Sequence, residues 1–316
     1  MKYFIWVFAL CYVNTSQAQS CCTSQLCSTN TSADIIEDLN YLSRVGIAYG
    51  FISDQFALIS KINESNSLRY HNQYQHLTLS GRLGITQSFF VQLSMPYKFN
   101  TINADNQLSF YNGLGDIKVG LGGNIWKTQN NRYAHVLELS ADMQMPSGRY
   151  YTNNNSLWNS VVISPGTGAF AFNIHLNYRL RHKHIIFSTS GSFNQSFVNK
   201  IGLKIGARFS DDVRIAYLFQ RKKIAFIPSF NVGVDYFLKN HLKNKEVTLS
   251  GGTLLKAGLS AEIRYGHLSA QVAWNMPFYQ HLALGKYQIN QLLSVQLNYL
   301  FSIQKNKSKK IKNEKK

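Results

Sequence analysis

Charged side chains recur at alternate positions along several stretches of the chain. Arg44, Arg82, Lys118, Glu138, Asp142, Arg179, Lys204, Arg208, Asp235, Lys256, Glu262 and Arg264 each stand between apolar or small neighbours. In an extended strand those neighbours point to the opposite face. With Asp212 and Arg214 they form a mixed row, richer in cations, on the inner side of a set of strands. Two kinds of chemistry fit such a row. Charge rings facing an open lumen draw anionic solutes. Ion pairs filling a narrow barrel are the plainer reading, because a charge left unpaired away from water is costly. Lys118 and Glu138, on neighbouring strands, are the expected pair that narrows the path.

Other chemistries find little support. There is no Gly-x-Ser-x-Gly and no His-Glu-x-x-His, and the nine histidines are scattered. His135 lies on an apolar face without a matching serine, so an outer-membrane lipid-modifying enzyme is only a second alternative. No catalytic residue, cofactor or metal site is assigned. Cys21, Cys22 and Cys27 follow Cys11 of the leader. Cys27 paired with Cys21 or Cys22 would close a small disulfide loop in an oxidising compartment. Three thiolates with no nearby histidine make an incomplete metal set.

The elements that hold the charged row are strands. From Ile117, the apolar Ile117, Val119, Leu121 and Ile125 alternate with Lys118, Gly120, Gly122 and Asn124. After a turn at Thr128–Arg132, Leu137, Leu139, Ala141 and Met143 alternate with Glu138, Ser140 and Asp142. Period-two alternation across a polar turn is a β-hairpin. Its polar face is small and mostly neutral, unlike the Lys- and Glu-rich face that a soluble sheet shows to water, and suits the inside of a barrel whose outside meets lipid. Gly113–Gly123 resembles a phosphate-binding loop only in its glycines, because no helical pattern follows. Gly120, Gly122 and Gly123 are read as places of close approach.

Composition agrees. Of 316 residues, 15% are charged and 13% aromatic, with 18 Tyr and 20 Phe. Soluble domains carry roughly 25% charge. No run of 18 apolar residues follows the N-terminus, which argues against a helical span. Residues 1–18 read as a signal peptide: Lys2, an apolar Tyr3–Val13, and Ser16-Gln17-Ala18 at the cleavage site. Acylation of Cys21 is the rival, but Ala18-Gln19-Ser20 matches a lipid-attachment box poorly. Residues 19–40 read as a periplasmic Cys-containing segment, and 41–301 as the barrel. Residues 302–316 read as a disordered tail whose seven lysines and one glutamate supply +6 of the net +18.

The expected fold is all-β: a transmembrane antiparallel up-and-down barrel of about twelve strands, with fourteen the alternative even count. The count turns on Ile201–Arg221, which reads as one long strand; splitting it would put the termini on opposite sides. Polar stretches up to about Gln75, beyond Pro96, at Ser147–Thr167 and at Lys239–Ser250 read as loops. Tyr41, Tyr49, Tyr97, Trp126, Tyr178, Tyr217, Tyr236, Tyr265, Trp274 and Tyr299 fit interfacial girdles near strand ends. The partners implied are the outer-membrane bilayer, the barrel-assembly machinery and an unknown small solute. Nucleic acid is in the wrong compartment.

Three short motifs carry a family resemblance: Gly113-Leu114-Gly115-Asp116-Ile117, following Met95-Pro96-Tyr97; Met145-Pro146-Ser147-Gly148; and Ser164-Pro165-Gly166-Thr167-Gly168. Their order resembles the outer-membrane barrel family named for the meta-pathway of phenol degradation, which is similar to long-chain fatty-acid transporters. The resemblance implies passive uptake of small apolar or aromatic compounds. The Ser147–Thr167 loop, with Tyr150, Tyr151 and Trp158, is then the candidate mouth, since aromatic faces suit such solutes. A structural or adhesive barrel is the first alternative.

Overall fold

The computed structural model describes residues 43–59, 67–86, 88–104, 107–130, 133–150 and 164–301. Seventeen strands are present among them. In chain order they are β1 (Ser43–Ile59), β2 (Ser67–Gly84), β3 (Phe89–Ala104), β4 (Gln107–Leu114), β5 (Lys118–Gln129), β6 (Tyr133–Gln144) and β7 (Ala171–His182). There follow β8 (Ile185–Ser196), β9 (Leu203–Lys204), β10 (Arg208–Tyr217), β11 (Phe219–Arg221), β12 (Ile224–Phe237), β13 (His241–Leu242) and β14 (Lys245–Glu246). The last are β15 (Gly252–Tyr265), β16 (Leu268–Leu282) and β17 (Tyr287–Phe301).

Twelve of these form a closed antiparallel barrel. Each long strand pairs with its sequence neighbour, from β1–β2 through β3–β5 and β10–β12 to β16–β17, and β1–β17 shuts the ring. Closure removes the exposed sheet edge, a condition for crossing a membrane with strands. β11 continues β10 past Leu218, so Ile201–Arg221 supplies one barrel strand, as the twelve-strand reading requires. That strand begins at Arg208 rather than Ile201. Leu203 and Lys204 instead join β13 and β14 in a separate three-stranded sheet at the rim.

The alternation seen in the sequence becomes two faces. On β12, residues 224–237 switch between outward and buried almost without exception. Every one of the twelve barrel strands exposes large apolar side chains outward, among them Leu79, Leu93, Leu121, Leu139, Leu176, Ile215, Leu259 and Leu297. A continuous belt of this kind far exceeds the few hundred Å² of apolar patch tolerated on a soluble monomer.

The two ends differ. Ser43 and Phe301 lie at the end where strands are joined by short turns: 85–88, 130–132, 183–184, 222–223 and 266–267. Lys183, Lys222 and Gly266 have φ near +55° there, a left-handed turn conformation open to glycine but strained by about 1 kcal/mol for lysine. At the other end the strands run further than their sequence suggests. β1 and β2 stay paired up to Ile59↔Ser67, and β3 continues through Pro96 to form a second hairpin with β4. In β4, Leu108, Phe110 and Leu114 alternate with Ser109, Tyr111 and Gly113, so a short strand signal stood inside the stretch read as a loop.

Candidate functional site

Most of the charged row lies inside the barrel, and cross-strand geometry pairs several of its members. Glu138 of β6 is buried and accepts from Arg82 of β2 at 2.5 Å and from Arg179 of β7 at 3.3 Å. Since β3 and β5 separate β2 from β6 in the wall, the Arg82–Glu138 bond crosses the lumen. The Arg82 guanidinium also lies 3.3 Å above the Phe90 ring, which is fully buried. Phe90 fits because Gly122 has no side chain: a Cβ there would sit 2.5 Å from the Phe90 Cζ. One of the central glycines therefore makes room for a lumen ring.

A second network sits further round the wall, on β10, β12 and β15. Asp235 of β12 accepts from Arg208 of β10 at 2.7 Å and from Lys256 of β15 at 3.1 Å. Lys256 also lies 3.4 Å from Asp212 of β10, reaching across β12. Gly233 of β12 opens the way, because a Cβ on it would meet the Lys256 Cε at 2.8 Å. Between the two networks, Asp142 accepts from Asn173 at 2.6 Å and contacts His175 at 3.0 Å. Lys118, His175, Asn194 and Arg208 line a small cavity of about 20 Å³ there, room for about one water. Glu262 and Arg264, two residues apart on β15, bond at 3.3 Å.

Apolar side chains close in above and below this polar middle. Ile52, Tyr74, Phe237, Leu254, Leu282, Tyr287 and Ile289 cluster at the loop end. Ile186, Ala216, Leu218, Ala225 and Ile227 cluster at the turn end. Sequence reasoning missed both, and missed Phe90, because each sits on the face assigned to small and polar residues. Their signal was an apolar residue on the wrong phase near a strand end. Asp54 sits against the loop-end cluster and accepts from Asn72 at 2.8 Å and from the Tyr287 hydroxyl.

Not every expected lumen residue is there. Arg44 lies on the inner face of β1 beside Arg82 in register. Lys204 does not line the lumen. It is exposed on the rim sheet, because residues 205–207 break the strand and its period before Arg208. Lys118 and Glu138 are not a pair: the register sets Lys118 opposite Gln144 and Glu138 opposite Asn124. Of the mouth-loop aromatics, Tyr150 is half-buried and its hydroxyl accepts from Asn199 at 3.3 Å. Tyr151, Trp158, Cys21, Cys22 and Cys27 lie outside the described residues, as do the leader, the segment to residue 42 and the tail.

The three motifs of the family resemblance converge on one buried carboxylate. Asp116 Oδ2 accepts from the Thr167 N–H at 2.7 Å, the Thr167 hydroxyl at 2.6 Å and Gln144 Nε2 at 2.9 Å. Its Oδ1 accepts from the Gly148 N–H at 3.0 Å. Gly148 and Gly166 touch backbone to backbone: a Cβ on Gly148 would lie 2.8 Å from the Gly166 Cα. This knot ties both ends of the Ser147–Thr167 loop to the start of β5.

At the turn end, Trp126 and Tyr133 stack on His135, and His182 stacks on the far side of the row against Tyr133; His135 Nδ1 meets the Tyr178 hydroxyl at 2.9 Å. His135 is thus part of an aromatic girdle. Tyr217, Tyr265 and Tyr299 project outward at the same end. Trp274 departs from the girdle reading, lying at mid-strand opposite Leu259 and Leu293.

No protein-family model matches the chain, and no curated protein matches it. Solved structures do. An outer membrane channel from Pseudomonas putida F1 superposes with a TM-score of 0.65 at 11% identity, over 86% of this chain and 99% of that one. The β domain of the Bordetella autotransporter BrkA gives 0.47 at 11% identity, over 82% and 100%. A NanC porin gives 0.40 at 8%, over 80% and 100%. At such identities the first of these likenesses speaks for the fold. Together with the apolar belt, the closed ring and the girdle, it makes this chain a transmembrane β-barrel of the outer-membrane type.

Proposed function

We propose that the chain is a narrow passive channel or uptake protein of the outer membrane. The observation that carries this reading is the polar middle of the lumen. Arg82, Glu138, Arg179, Asp142, Arg208, Asp235 and Lys256 occupy the space that an apolar core fills in a soluble barrel. Charged and hydrogen-bonding walls are the lining of a water path, and paired charges set its width and selectivity. The Glu138 and Asp235 networks are the constrictions in this account, and small solutes or ions are its cargo.

The finer reading is a small apolar or aromatic solute, as the resemblance to the meta-pathway barrel family implies. The inward cluster of Ile52, Tyr74, Phe237, Leu254 and Tyr287 supports it, since a greasy molecule leaving water at the loop end would meet apolar surface there. Tyr150, held beside the Asp116 knot, adds an aromatic group at the same rim.

Liposome influx tests both levels. Vesicles carrying the protein are expected to admit small ions and a phenolic solute faster than empty vesicles. Ion entry without phenolic entry would retain the channel and remove the apolar cargo. Entry of neither would replace the channel with the structural or adhesive barrel.

A further inference from the structure

The rim sheet carries a concentration of positive charge that the lumen chemistry does not use. Residues 197–207 and 238–247 contain Lys200, Lys204, Lys239, Lys243 and Lys245 against one acid, Glu246. Glu246 is already engaged. Lys239 donates to it at 2.7 Å, and that bond and charge hold the Glu246 carboxyl below its usual range. The other four lysines have no acidic partner among the described residues.

This sheet is a built feature. Leu242-Lys243-Asn244-Lys245 is a two-residue hairpin turn with φ of 48° and 64° at its centre, the conformation such turns demand. The Lys243 N–H donates to the Gly202 carbonyl at 2.8 Å. Two buried asparagines pin the segments: Asn199 accepts from the Leu203 N–H at 2.9 Å, and Asn240 accepts from the Gly206 N–H at 2.7 Å. The result is a cleft of about 180 Å³ lined by Val198, Gly202, Lys204, His241 and Asn244.

What lies beside the cleft indicates the occupant. Phe193 and Phe209 are 4.8 Å apart, Phe172 is 5.7 Å from Phe193, and Phe197 is 6.2 Å from Phe172. Phe197 and Phe209 are each about half exposed beside Phe193 on the outer face of the wall, and the half-exposed Val198 joins them to the cleft that it lines. A cleft with Lys204 on its wall and Lys243 and Lys245 in the adjoining hairpin, bordering an apolar, aromatic belt, matches a molecule with phosphate at one end and acyl chains at the other. Short turns mark the periplasmic end of such barrels, so this opposite rim faces the outer leaflet. We propose that the rim sheet binds the phosphorylated glucosamine headgroup of an outer-leaflet glycolipid, with Lys204, Lys243 and Lys245 on the phosphates and Phe197, Val198 and Phe209 along the acyl chains. This site is independent of whether the lumen conducts.

The test uses the purified full-length protein in detergent. It is titrated with bisphosphorylated lipid A, with dephosphorylated lipid A and with inorganic phosphate, and binding is read by native mass spectrometry. Bisphosphorylated lipid A is expected to bind best. Replacing Lys204, Lys243 and Lys245 together with serine should weaken it roughly 100-fold, from the usual contribution of a lysine near an anionic lipid surface. Lys222→Ser with Lys223→Ser, at the opposite end, should bind like wild type. If the triple variant loses the heat-modifiable mobility of a folded barrel, Lys243→Glu alone in the exposed turn serves instead and should weaken binding. Equal binding of the two lipids, or undiminished binding by the folded variant, would overturn the proposal. Inorganic phosphate binding as tightly as lipid A would also overturn it, in favour of a soluble-anion site.

Discussion

Glu138 and Asp116 are buried carboxylates near neighbouring strands of one wall, and they are held in opposite ways. Glu138 takes two guanidinium groups, one reaching across the lumen. Asp116 takes backbone N–H groups, a hydroxyl and an amide, all within the wall and its loop. In the first case charge balance between a buried carboxylate and two buried guanidinium groups holds the residue in place. In the second, the placement of neutral donors does so, and the carboxylate serves as a hub for three chain segments. The lumen centre is thus sensitive to charge, whereas the loop anchor is sensitive to which atoms donate.

The largest expected effect is at the charged centre. Glu138→Ala takes away the carboxylate that Arg82 and Arg179 share and should destabilise the barrel by about 3–5 kcal/mol, read as denaturant-induced loss of the folded band. Removing Arg82 and Arg179 together with Glu138 should cost less than Glu138→Ala alone, because the two cations leave with the carboxylate that balanced them. A triple variant worse than the single would break the comparison.

Next comes Leu139, one residue on and facing out. Leu139→Arg puts a charge on the lipid face and should cost about 2–4 kcal/mol if it lies near the bilayer midplane. Little effect there, in the same assay, would contradict the two-faced wall. At the loop anchor, Asp116→Asn keeps the shape but offers an amide to donors that need an acceptor, for about 1–3 kcal/mol. Hydrogen exchange should rise at Gly148 and Thr167 while the Glu138 strands stay protected. Exchange rising equally around the ring would mean that the two centres are one unit.

How much of this was legible follows from the same contrast. Glu138, Asp142, Arg179 and Asp235 were placed by period two alone, because alternation is local and each strand repeats it. Their partners were not, since register depends on turns and bulges. A bulge between Asn124 and Trp126 lies in the very β5–β6 pair where Lys118 and Glu138 were expected to meet. Lys204 was misplaced because Ile201–Ala207 mimics strand periodicity while folding into the rim sheet. The Asp116 knot joins residues up to 51 positions apart. Its pieces were visible as glycine-rich motifs, but nothing local shows that they meet.

The smallest effect expected is at Asp211, the outward counterpart of the inner acids. It is exposed between Phe209 and Val213 and accepts from Thr189 at 3.1 Å. Asp211→Val should stabilise the barrel by about 1 kcal/mol, since an acid on the lipid face costs less than a lysine or arginine there. Destabilisation instead would show that Asp211 faces a partner rather than lipid.

Single-channel conductance across planar bilayers tests the central claim most directly. Wild-type protein should give small, discrete ion currents, and replacing Arg82, Glu138 and Arg179 together with serine should enlarge them while heat-modifiable mobility is retained. If neither protein passes current above the bare bilayer, the lumen is a filled core and the channel account is wrong.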